Sequence, residues 1–283
     1  MNRAPRPFVL FLLAALLAGA CKQAADLPVP FDDKLVVVGF VSPQDTLVQV
    51  AVARNQPLWT GGGRAVTDAD VRLTAPDGST ARLMARAFTR SDSANGWCRY
   101  AVPVRELPIR AGETYRLTVA TPAGLRSRAA CTVPAAPVPA ADVQIEFDSE
   151  SFGNQRFRTF RVTWPDDPGG GFFSLNSVSY VEAPATGGRT PYTCVTYGTA
   201  YLPGSGVPVQ APERAIQGTN APFNPARSFV QVFLCRTDRA YYDYHLALSR
   251  QQQEQAGNLF PEAVRVPGNV EGGLGIFAAY NQT

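Results

Sequence analysis

The sequence predicts a mainly β protein: an N-terminal immunoglobulin-like β-sandwich followed by a second β-rich domain carrying one helix. Three observations predict it. The chain holds 24 Gly and 24 Pro in 283 residues with only 17% charged side chains, too many breakers for a helical bundle or coiled coil. Short apolar runs with a two-residue period recur between turn signals, as half-buried strands do. Only one window carries a helical period. A hydrophobic content of 45% supplies a core and excludes disorder, which needs low hydrophobicity and high net charge.

Residues 21–33 contain Pro28 and Pro30, show no period, and read as a tether. From Lys34 the pattern changes. Leu35–Val41 is apolar nearly throughout, and Leu47 to Val52 alternates. Val71 and Leu73, the Asp77–Gly78 dipeptide and Thr80–Met84 read as a hairpin. Cys98–Val104 is a further strand. Leu107, Ile109, Tyr115, Leu117 and Val119 alternate and continue past the Pro122–Gly124 turn to Cys131. About seven short strands within 34–133 indicate the sandwich, and Gly112 three residues before Tyr115 suits a tyrosine corner.

Residues 134–141, Pro-Ala-Ala-Pro-Val-Pro-Ala-Ala, form a stiff linker and set the second domain at 142–283. Strands are expected at Val143–Phe147, Phe160–Trp164, Phe172–Val181, Tyr192–Tyr201 and Phe229–Cys235, the last apolar on both faces. Residues 202–227 read as a long polar loop. In the helix, Tyr241, Tyr244, His245 and Leu248 share a stripe, with Thr237 as its cap and Gly257 as its stop.

Residues 1–20 read as an address. Arg3 and Arg6 precede the apolar run Phe8–Leu17, and small residues lead to Cys21. The run is too short to span a bilayer. The pattern resembles a bacterial lipoprotein signal, with Cys21 as the lipidated residue and 21–283 as the mature chain. Removing 1–20, with its two arginines and no acid, takes the net charge from +3 to +1. That leaves no overall electrostatic footprint for nucleic acid. The 26 basic residues are scattered, as on a solvated sheet face. In an exported protein the remaining cysteines, Cys98, Cys131, Cys194 and Cys235, suggest two disulfides among three possible connectivities. The local pairing Cys98–Cys131 and Cys194–Cys235 is the expected one.

Chemistry is sparse. His245 is the single histidine, and its neighbour Asp243 at i−2 points elsewhere, so a structural role is expected. Gly273 to Ala278 match G-x-G-x-x-A, but no helix and no acidic residue follow, so the run reads as a packed terminal strand. Asp32–Asp33 and Asp166–Asp167 are adjacent pairs without the separation that acid/base work requires, and Asp166–Asp167 reads as a solvated turn rather than a calcium site. No metal or cofactor is implied. Trp59, Trp97, Tyr192, Tyr197 and Tyr201 lie near loops, where exposed rings could stack on sugars or dock a partner.

The last fifty residues combine Asp238-x-x-Tyr241-Tyr242-x-Tyr244 with Asn269-Val270-Glu271-Gly272-Gly273-Leu274-Gly275-Ile276-Phe277. They resemble the domain-of-unknown-function 4249 family of exported Gram-negative lipoproteins, and the likeness extends over nearly the whole mature chain. The resemblance implies an outer-membrane location, commonly beside a TonB-dependent transporter, with no assigned catalytic residue or ligand. The expected function is that of a lipid-anchored binding or accessory protein in nutrient uptake, not an enzyme. The alternative is an independent cell-surface adhesin or carbohydrate-binding module.

Overall fold

The computed structural model describes residues 32–56, 64–86, 96–152, 155–165, 171–182, 189–191, 213–222, 228–257 and 262–283. The alternating runs form strands: β1 (Leu35–Val41), β2 (Leu47–Arg54), β3 (Arg64–Ala65), β4 (Asp70–Thr74), β5 (Thr80–Ala85), β6 (Cys98–Pro103), β7 (Thr114–Ala120) and β8 (Arg126–Thr132). After these come β9 (Gln144–Phe152), β10 (Gln155–Pro165), β11 (Phe172–Glu182), β12 (Arg189–Pro191), β13 (Glu213–Pro222) and β14 (Ser228–Thr237). Helix α1 (Arg239–Gly257) and β15 (Gly273–Gln282) complete the order. Among the described residues the protein is mainly β with one long helix, as expected.

Twelve strands form one sheet path, β12-β11-β14-β15-β1-β2-β6-β5-β4-β7-β8, with β3 attached to β2, while β13-β10-β9 form a second sheet. The long path folds over itself at β5. Thr80–Leu83 pair with β4, whereas Met84 and Ala85 pair with β6. A strand that changes partners turns a corner and lets both flanks face one core. That core gathers Leu35, Val37, Val50 and Val52 from one flank with Val71, Leu73, Leu117 and Val119 from the other.

The tyrosine corner is present. Gly112 takes φ 79, a left-handed conformation that suits glycine. Tyr115 Oη accepts the Arg110 N–H at 2.8 Å and lies 2.8 Å from the Pro108 carbonyl. The hydroxyl thus pins the backbone five and seven residues upstream, and burial pushes its pKa up to about 12.

Four expectations change. The polar stretch 202–227 contains β13, because its residues 213–222 extend along β10 and gain a ladder that local propensity did not signal. The helix cap is Asp238, not Thr237: Asp238 Oδ1 accepts the Tyr241 N–H at 2.7 Å. The expected disulfides are replaced by thiols at Cys98, Cys131 and Cys235, all buried. Cys98 and Cys131 fill space in the main core as small apolar side chains. Burial pushes the Cys235 thiol up to about 12 and Cys131 well above its ordinary value, so both stay protonated. Cys194 lies outside the described residues.

The fourth change concerns the chain's end. β15 runs parallel to β1, from Leu35 opposite Gly273 to Val41 opposite Ala279. Its far end pairs with β14 through Thr237, Arg236 and Cys235. The C-terminal residues therefore complete the sheet begun by the first strand. Asp33–Thr283 forms one compact unit, and the Pro/Ala segment 134–141 lies within it.

Candidate functional site

Of the five aromatic residues singled out for binding, Trp97 is described. It is half-buried beside Gly96, which has φ 65. Trp59, Tyr192, Tyr197 and Tyr201 lie outside the described residues, as do Cys21 and Asp166–Asp167. Asp33 pairs with Arg54 at 3.3 Å. His245 sits in an aromatic cluster, its ring 4.2 Å from Tyr241, 5.1 Å from Phe40 and 5.3 Å from Tyr244 between centroids. Burial lowers its pKa to about 4, so at neutral pH it is an uncharged packing group.

The Asn269–Phe277 motif acts as a clasp. Asn269 Oδ1 accepts the Phe277 N–H at 2.8 Å, and its Nδ2 donates to the Phe277 carbonyl at 2.7 Å. The same amide donates to the Ala130 carbonyl on β8 at 3.1 Å. One side chain therefore ties β15 to β8. The glycines serve close approach: a Cβ on Gly275, at φ +106, would collide with the Val37 carbonyl, and one on Gly273 would lie 2.8 Å from Leu35 O. Asp238 adds a second tie, its Oδ2 accepting the Ala279 N–H at 3.0 Å. At the far end Tyr280 donates to Asp45 at 2.9 Å, and Gln44 donates to Asn281 at 2.6 Å. The motif builds the frame, with the Asn269 amide spent on backbone contacts.

An open groove of about 620 Å³ lies over β4, β7 and β8, walled by Glu271 and Gly272. Thr118 and Ala120 lie along β7 between the charged residues of β4 and β8. Strand register sets the charges. Arg82, Arg72, Thr118 and Arg128 stand opposite one another across β5, β4, β7 and β8, and Arg128 bridges to Glu271. Asp70, Ala120 and Arg126 form the adjacent row. Arg72 donates to Asp70 at 2.8 Å, and Arg82 pairs with the other oxygen of Asp70 at 3.0 Å. Arg128 donates to Glu271 at 2.6 Å. Arg126 has no ion pair among the described residues. Sequence reasoning treated these arginines as scattered. The signal was their outward position in each alternating strand, but only the register makes them neighbours.

Among the described residues no group of three or more His, Cys, Asp or Glu could hold a metal ion, and no helix is long and apolar enough to cross a membrane. No curated protein matches the chain. Among solved structures, a crystal structure of a Salmonella alpha-2-macroglobulin mutant is similar at 10% identity over 73% of this chain, with a TM-score of 0.27. The match spans 14% of that much longer chain. The family comparison covers far more: the model described as "Domain of unknown function (DUF4249)" matches residues 22–283, and the chain belongs to that family.

Proposed function

We propose that the protein is a lipid-anchored binding or accessory protein of the outer membrane, working beside a TonB-dependent transporter in nutrient uptake. The observation that carries the binding role is the groove over β4, β7 and β8, where guanidinium groups flank the uncharged Thr118–Ala120 segment of β7 on a firmly framed sheet. Strands hold a site more rigidly than loops do, which favours selective capture. The anchor rests on the signal pattern ending at Cys21, and 21–33 supplies a tether ahead of β1. Diacylation plus an N-acyl chain anchors firmly, since each buried CH₂ adds ~0.8 kcal/mol.

Crosslinking in intact cells, followed by affinity purification and mass spectrometry, tests the partner. Recovery of a stoichiometric outer-membrane transporter supports the accessory role. Recovery of the lipoprotein alone, under conditions that preserve other such complexes, overturns it and leaves the second reading, an independent adhesin or carbohydrate-binding module. The threonine and arginine side chains at the groove favour that version, because they offer hydroxyl and guanidinium partners to a sugar.

A further inference from the structure

We propose that the outer face of β5, β4, β7 and β8 binds an acidic glycan, taking the carboxylates of its sugars on Arg72, Arg126 and Arg128. This names a ligand class for the groove and rests on the binding role proposed above. Arg72, Arg82, Arg116, Arg126 and Arg128 all point outward from this one sheet, against the acids Asp70 and Glu271. This face therefore carries five guanidinium groups against two carboxylates, an excess of positive charge in a chain with little net charge. All five are arginines, whose planar fork grips carboxylates in two-point contacts that a lysine cannot make.

The face already reads carboxylates. Asp70 takes Arg72 and Arg82, and Glu271 takes Arg128, at exposed positions where such pairs exchange cheaply. Arg126 stands open beside them. Neighbouring strands lie ~4.8 Å apart, so Arg72 and Arg128, two strands apart, suit anionic groups ~10 Å apart on a repeating ligand. Thr118 between them offers a hydroxyl to the sugar. Arg, Thr and Ala occupy the outward positions of β7 and β8, so no aromatic platform for bases is present on those strands.

The test is calorimetric titration of the full chain in detergent with oligogalacturonate, a neutral malto-oligosaccharide, polyphosphate and single-stranded DNA. Oligogalacturonate is expected to bind and to weaken as salt rises. The R72Q/R126Q double variant should lose roughly tenfold or more in affinity with its thermal midpoint unmoved, whereas R161Q, on β10 of the other sheet, should bind as the parent does. Equal binding of the neutral sugar, tighter binding of DNA or polyphosphate, or undiminished binding by R72Q/R126Q overturns the proposal. Transporter recovery in cells reads the accessory role separately: its failure leaves a positive titration standing, and a failed titration leaves a recovered transporter standing.

Discussion

Asn269 makes three hydrogen bonds to backbone with one amide, and no smaller side chain can replace it. At about 1 kcal/mol net for each bond, Asn269→Ala should cost roughly 2–3 kcal/mol, read from denaturant midpoints. Gly275→Ala places a methyl group against Val37 O at a positive φ and should cost more than about 3 kcal/mol in the same experiment. Cysteine chemistry is equally specific. In the native chain, peptides containing Cys98, Cys131 and Cys235 should escape maleimide; in denaturant without reductant they should all react. Recovery of any of them in a disulfide-linked peptide would contradict the buried thiols. Here the sequence misled through compartment: an even number of cysteines in an exported chain argues for bridges, whereas core packing uses the thiols as apolar filler.

At the scale of elements, α1 carries a pH signature with two opposing parts. Burial raises Asp238, at its cap, to about 6, partly offset by the N–H groups of Tyr241 and Ala279. The folded chain therefore holds this proton more tightly than the unfolded chain, and the stability it contributes at low pH is lost as pH rises through about 6. Burial lowers His245 to about 4, so the unfolded chain is protonated first and stability is lost as pH falls from about 6.5 towards 4. His245→Gln should leave a protein more stable at pH 4.5 than at pH 7. Asp238→Asn keeps a cap, and it should unmask the acid-side loss from His245, on the order of 2 kcal/mol across that window. Urea midpoints at the two pH values check both signs. Elements were the most legible scale. The short apolar and period-two runs gave β1, β2, β4, β5, β7 and β8, and the Asp77–Gly78 dipeptide gave the β4–β5 hairpin, with Gly78 at φ 85. β13 was missed because polar residues form a ladder only when a neighbour such as β10 recruits them.

Pairing across long sequence separation governs the whole molecule, and it was the part least visible in advance. A parallel pair between residues 35–41 and 273–279 has no local signal, so the Pro/Ala segment looked like a boundary between independent halves. The same reason hid the groove: Arg72 and Arg128 are far apart in sequence and two strands apart in space. The family motif is a clasp holding 33–283 together, and the binding role proposed for the exposed face depends on the frame it builds. The most direct test is amide hydrogen exchange, read peptide by peptide, on the full chain and on Asn269→Ala. Peptides from β1, β8, β14 and β15 should lose protection together in the variant. Loss confined to residues 262–271, or no loss at all, would contradict it.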